Sequence, residues 1–182
     1  MNALDLYCGL GGWADGLMKS GIYVTGYDIV DFSDSYPGIF FRRDLLTLND
    51  FPECDLIVAS PPCTDFTKTD IPRSWQSVKR YPPDIPLAIR LFIRVYEIVG
   101  LVRPKYFIIE NVRGAQKFTG KARIHIGSRY FWGNFPLFDV EDRNDVYGKT
   151  EISPSASRPA LRSKIPLSIS LAFGRAITEA MK

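Results

Sequence analysis

Asp55-Leu56-Ile57-Val58-Ala59-Ser60-Pro61-Pro62-Cys63 is the stretch that decides the fold. Its apolar run, 56–59, is short and bounded by breakers, the pattern of a buried strand. Pro61 and Pro62 end it, because neither can donate to a sheet ladder. They also hold the next backbone stiffly, so the Cys63 thiol is presented at a defined place on the sheet's edge. A stiff mount beyond the carboxyl end of a buried strand is where open α/β sheets bind ligands and do chemistry. A lone cysteine is by default a buried, inert one, so its surroundings along the chain must decide.

Working outward, 3–7 read as a first strand, followed by a glycine-rich turn and a helix over 13–20. The alternating, β-branched run 22–27 reads as a second strand, 39–41 as a third, 105–109 as a fifth and 129–132 as a sixth. Leu87, Leu91, Val95, Ile98 and Val102 recur at helical spacing, which predicts a helix over 86–102 with Arg90, Arg94 and Glu97 on its other side. Residues 64–83 read as a long polar loop, and 139–164 as irregular, broken by Pro154 and Pro159. Pro166, favoured in a first turn, opens a last helix. Strands alternating with helices mean an α/β, doubly wound, mostly parallel sheet.

The 182 residues suit one domain with a real core. Cys8, Cys54 and Cys63 are odd in number and lack metal-ligand spacing, and His125 is alone, so neither a metal site nor a disulfide framework is expected. Thiol usage of this kind fits a reducing cytoplasmic or nuclear interior. No secretory or membrane-spanning pattern precedes the first strand, so no membrane partner is expected. The net charge of +3 is small, but its distribution is uneven. Arg113, Lys117, Lys121, Arg123 and Arg129 lie between Asn111 and Asp139 with no acidic residue among them, and Lys68, Arg73, Lys79 and Arg80 follow Cys63. Both runs flank the expected active edge and suit contact with phosphates.

Three further features carry chemistry. Tyr7-Cys8-Gly9-Leu10-Gly11-Gly12-Trp13 is a turn whose glycines let the backbone approach a ligand closely. Asp28, with Ile29 after it, closes the second strand where an acid takes ribose hydroxyls in nucleotide-binding sheets, and Asp44 follows the third strand within reach of an adenine amino group. Each aspartate taken alone is equally a cap or turn residue; together with the turn they indicate an adenosine-bearing cofactor. Third, Glu110-Asn111-Val112 ends the fifth strand. A carboxyl there is partly buried, which favours its neutral form and lets it protonate a ring nitrogen. A cysteine nucleophile and a protonated acid are the pair needed to add to a pyrimidine: attack at C6 of cytosine, protonation at N3, and a C5 carbon able to take a methyl group. Nearby arginines would lower the Cys63 pKa.

Tyr7-Cys8-Gly9-Leu10-Gly11-Gly12, Pro61-Pro62-Cys63, Glu110-Asn111-Val112 and Ser128-Arg129-Tyr130-Phe131-Trp132-Gly133-Asn134, in this order, resemble the cytosine-C5 DNA methyltransferases. The last motif is most similar to the de novo branch of the animal enzymes. The resemblance implies a Rossmann-like methyltransferase sheet with an antiparallel strand near one edge. It implies S-adenosylmethionine as cofactor, with Tyr7 against its adenine, Asp28 on the ribose, Asp44 on the adenine amino group, and Pro62 in further contact. Cys63 would be the nucleophile, Glu110 the N3 acid, Arg129 the donor to the cytosine O2, and Asn111 a support for loop and site. Ile165-Pro166 would begin the helix that closes the cofactor pocket.

The chain also departs from that pattern. Gly127 stands where the family has the first of two arginines, which weakens the support expected for Glu110. Thr64 replaces the usual Gln after the nucleophile, although Phe66 matches, and 64–83 contain no glycine. Only sixteen residues separate Val112 from Arg129, where the family fits a helix and a strand, so a six-stranded sheet with the Arg129 strand at its edge is expected. The interval 135–164 is too short for a target-recognition domain. The expectation is therefore a single truncated catalytic domain acting on duplex or single-stranded DNA, with specificity weak or supplied by a partner protein or a homodimer. An RNA substrate, an amino-methyltransferase, a nicotinamide-dependent oxidoreductase and an inactive module that regulates a partner are the alternatives.

Overall fold

The structure is a computed structural model that describes residues 1–71, 82–140 and 164–182. Arg73, Trp75, Lys79, Arg80, Pro154 and Pro159 lie outside the described residues. Seven strands form one sheet: β1 (Asn2–Leu6), β2 (Tyr23–Asp28), β3 (Ile39–Arg42), β4 (Leu56–Ala59), β5 (Tyr106–Val112), β6 (Ile124–Ile126) and β7 (Arg129–Asn134). Their order is β3-β2-β1-β4-β5-β7-β6. The first five are parallel; β7 runs antiparallel to β5, and β6 antiparallel to β7. The helices are α1 (Gly12–Lys19), α2 (Thr64–Lys68), α3 (Ile85–Val102), α4 (Gln116–Thr119) and α5 (Leu167–Ala180).

The period-2 alternation of each strand divides the core in two. Leu56 and Val58 of β4 join Trp13 and Leu17 of α1 and Ile169, Phe173 and Ile177 of α5 on one face. Ile57 and Ala59 join Phe66 of α2 and Phe92, Val95 and Ile98 of α3 on the other. All four residues of β4 are fully buried, which is why its sequence is continuously apolar. Among the described residues no helix is long and apolar enough to cross a membrane.

The structure corrects four readings. The sheet has seven strands, so β7 is not an edge; β6 is. The short stretch between Val112 and Arg129 holds a 3-10 turn (Arg113–Ala115), α4 and β6. A two-residue hairpin joins β6 to β7, and Gly127 sits in it at φ 58°, a conformation that disfavours an arginine side chain. The loop after Cys63 begins as α2, anchored by fully buried Phe66. Arg94 is not on an outer face. It is 5% exposed, and its guanidinium donates to the Leu45 and Leu48 carbonyls, to Asn49 Oδ1 and to Glu97.

Candidate active site

Parallel strands bring their carboxyl ends to one edge, and the predicted residues meet there. After β1 the chain turns through Tyr7 at φ 57° and Gly9 at φ 50°. Asp28, at the end of β2, accepts from the Gly9 N–H at 3.0 Å and from the Val30 N–H at 2.9 Å, which stitches the glycine turn to the neighbouring strand. Burial pushes its carboxyl up. Beside it lies a small open cleft, lined by Tyr7, Cys8, Gly9, Leu10, Gly12 and Trp13 from the turn and α1, and by Ser60, Lys164 and Ile165. A Cβ on Gly9 would meet nothing within 4 Å, so the turn's backbone faces open space. A Cβ on Gly12 would lie 2.4 Å from the Ile165 nitrogen, so here the missing side chain lets the approach to α5 pack against α1.

The other predicted cofactor residues are placed as follows. Cys8 has its thiol in the core, where burial pushes it far up, and offers the cleft chiefly backbone. Tyr7 donates its hydroxyl to the Leu91 carbonyl of α3. Gly11, at φ 72°, precedes α1 and abuts Pro37. Ile29 is 60% exposed, and its carbonyl accepts from Arg42 Nε. Asp44 is exposed and caps its own turn by accepting from the Leu46 N–H. Arg94 holds that turn at Leu45 and Leu48. A backbone-walled cleft with a partly buried acid at its rim fits an adenosine-bearing cofactor.

At the β4–β5 end, Ala59 pairs with Ile109, so the segments that follow run side by side. Pro62 is exposed and precedes Cys63, which N-caps α2. Asn111 is fully buried; its Nδ2 donates to the Pro61 carbonyl at 2.9 Å, and its Oδ1 accepts from the Val112 N–H at 2.9 Å. One side chain thus fixes the proline turn to β5. Glu110 is 7% exposed. Its Oε1 accepts from Arg129 Nη1 at 3.2 Å, and Arg129 Nη2 donates to the Lys164 carbonyl at 2.7 Å. Arg129 itself therefore supports Glu110, despite Gly127.

Burial pushes the Glu110 carboxyl up, against the opposing pull of Arg129 and a Ser60 hydrogen bond. Burial and the Glu110 charge push the Cys63 thiol up as well, and Arg129 and the Thr67 hydroxyl only partly offset them. The expectation that arginines lower the thiol pKa is thus corrected: one of the two forces that outweigh Arg129 is the neighbouring carboxylate. Protonating Glu110 removes that repulsion, so thiolate and neutral acid favour each other. Among the described residues no group of His, Cys, Asp and Glu could hold a metal ion.

A model of the C-5 cytosine-specific DNA methylases matches residues 1–126. The chain belongs to that family. Type II methyltransferase M1.HphI of Haemophilus parahaemolyticus is 28% identical over 145 residues, which cover 70% of this chain and 37% of the relative. Type II methyltransferase M2.BsuMI of Bacillus subtilis is 27% identical over 135 residues, covering 70% and 33%. This methylase-family chain spans about a third of the length of the curated relatives it matches. Among solved structures, S. pombe Dnmt2 methyltransferase aligns at TM-score 0.46 and 22% identity over 65% of this chain and 36% of that one. Entamoeba histolytica methyltransferase EhMeth aligns at 0.48 and 17% over 78% and 54%.

Sequence reasoning missed several residues of this methylase site. The sequence marks Trp13 only as a helix start and Lys164 only as the end of an irregular stretch, and assigns Ser60 no role, yet all three line the cleft. Gly127-Ser128 before an apolar strand is a hairpin signal that could have found β6. Nothing local announces the indole on Ser60 or the backbone carbonyls that hold Arg94, because those lie 46 or more residues away.

Proposed function

We propose that the chain is the catalytic core of an S-adenosylmethionine-dependent methyltransferase that acts on C5 of cytosine in DNA through a covalent Cys63 adduct. The observation that carries this is the way the thiol and the acid are mounted: Asn111 Nδ2 on the Pro61 carbonyl at 2.9 Å ties the Cys63 turn to β5, whose Glu110 pairs with Arg129 at 3.2 Å, at the sheet edge that also bears the cofactor cleft. S-adenosylmethionine bound in the cleft supplies an electrophilic methyl group. Gly9 and Asp28 would hold its nucleoside end, and Tyr7 and Asp44 would hold its adenine.

Cys63 Sγ attacks C6 of an unstacked cytosine, and the electrons displaced from the ring are taken up as Glu110 gives its proton to N3. The C5 carbon becomes nucleophilic. Once C5 is substituted, its hydrogen leaves as a proton to solvent water, that electron pair re-forms the C5–C6 double bond and expels Cys63 Sγ as thiolate, and N3 returns its proton to Glu110. Asn111 keeps Cys63 in place by holding the Pro61 carbonyl, and Arg129 orients the acid. Taking the base out of a duplex costs a few kcal/mol and less in single strands, so single-stranded DNA is the easier substrate. The interval 135–164 is too short for a recognition domain with its own core, so target choice is weak or comes from a partner.

Transfer of labelled methyl groups to duplex DNA, single-stranded DNA and RNA tests the reading. The expected result is label on cytosine C5 of DNA, abolished by Cys63→Ser and reduced about 10²–10⁴-fold by Glu110→Gln. Cofactor binding without transfer to any of the three would replace it with the regulatory-module reading.

A further inference from the structure

We infer that Arg94 of α3 is a positioning residue for the adenine end of the cofactor site: it holds the turn that carries Asp44 on the helix face that also receives Tyr7. This rests on the cofactor reading proposed above. The Tyr7 hydroxyl donates to the Leu91 carbonyl at 3.0 Å. Arg94 lies three residues further along α3, so it shares that face. Its Nε donates to the Leu45 carbonyl at 2.7 Å, and its Nη2 donates to the Leu48 carbonyl and, at 2.8 Å, to Asn49 Oδ1. Nη1 donates to Glu97 at 2.8 Å, which pairs the buried charge.

Asp44 needs such a hold. It follows β3, an edge strand whose side chains are mostly exposed. The Arg43 N–H donates to the Asp28 carbonyl at 2.8 Å, which brings the two acids to one edge of the sheet. Beyond Asp44 the turn closes on itself: the Leu46 N–H donates to Asp44 Oδ1, and the Leu48 N–H to the Asp44 carbonyl. Buried Leu45 seats the turn in the core with Phe92 and Val95 of α3. An apolar anchor sets depth but not direction. Three hydrogen bonds from one planar, charged guanidinium set direction as well. A lysine is a point charge on a flexible stem and cannot span the three acceptors. Without Arg94 the turn rotates and Asp44 leaves the line of the adenine amino group, while Asp28 and Gly9 keep the ribose end in place.

Calorimetry on the whole chain compares S-adenosylhomocysteine with its inosine analogue, in which a carbonyl replaces the exocyclic amino group. Wild type prefers the adenine ligand about tenfold, the worth of a hydrogen bond to a charged group. Arg94→Lys cuts that preference to about twofold and Asn49→Ala, which removes one acceptor, to about fivefold, while the inosine analogue binds both as it binds wild type. Asp44→Ala removes the preference, and adding Arg94→Lys to it changes neither affinity further. Equal weakening of both ligands by Arg94→Lys, an unchanged preference, or no preference in wild type overturns the inference. A wild-type chain that binds neither ligand refutes the cofactor reading, and the hold on the turn is then judged by amide hydrogen exchange. Arg94→Lys speeds exchange at Leu46 and Leu48 about tenfold and leaves Gly9 at its wild-type rate; unchanged rates at Leu46 and Leu48 overturn the hold too.

Discussion

The two ends of the site are built by different means. At the β1–β2 end the backbone does the shaping: a left-handed turn, N–H groups gathered on Asp28, and a glycine against the Ile165 nitrogen. At the β4–β5–β7 end buried side chains do it: Asn111 on the Pro61 carbonyl, and Arg129 on Glu110. A backbone-built site tolerates changed side chains but not added bulk. A site built from side chains fails when one group is deleted, because its buried partners are left unsatisfied.

The largest expected effect lies at the side-chain end. Asn111→Ala leaves the Pro61 carbonyl and the Val112 N–H without their partner and costs about 3 kcal/mol in a urea melt, together with most of the transfer rate. Next comes Gly12→Ala, whose Cβ must displace the Ile165 backbone; it costs about 2 kcal/mol and weakens cofactor binding in calorimetry. The contrast breaks if Asn111→Ala proves silent or if Gly12→Ala binds cofactor as wild type does.

A third test concerns Asp5, which is fully buried beneath the turn. Its Oδ2 accepts from the Tyr36 hydroxyl at 3.1 Å, and among the described residues its Oδ1 has no hydrogen-bond partner. Burial raises its pKa well above 3.8, with Asp28 and Asp15 adding to the rise and Tyr36 opposing it. The folded carboxyl therefore keeps its proton longer than the unfolded one. Its contribution to stability is full below the unfolded pKa and is lost as pH rises through the folded value. Asp5→Asn, which cannot ionise, melts about 1 kcal/mol higher than wild type at neutral pH, with the gap closing toward pH 4. A constant difference across that range would show that ionisation is not the cause. The smallest effect is expected at Asp44: Asp44→Ala changes stability by under about 0.5 kcal/mol, because its side chain is exposed and caps only its own turn, while its cofactor affinity falls.

What was legible in the sequence follows the same division. β4 was read to the residue, because four buried residues between an Asp and a proline pair leave no other pattern. Cys63, Glu110 and Arg129 stand out in the sequence because each lies near where an apolar run stops: Cys63 after the prolines that follow β4, Glu110 near the end of β5, and Arg129 at the start of β7. β6 escaped because three residues around a lone histidine carry too little period. Arg94 was misplaced because a charge on a helix reads as a solvated face, and the carbonyls that bury it belong to a loop 45 and more residues upstream.

Covalent trapping on DNA containing 5-fluorocytosine, with S-adenosylmethionine present, tests the central claim most directly. A fluorine at C5 cannot leave as a proton, so the enzyme stays bonded to the methylated ring. The account predicts a stable protein–DNA adduct that mass spectrometry maps to Cys63 and that Cys63→Ser abolishes. Cofactor bound and no adduct formed, or an adduct mapped to Cys8 or Cys54, would contradict it.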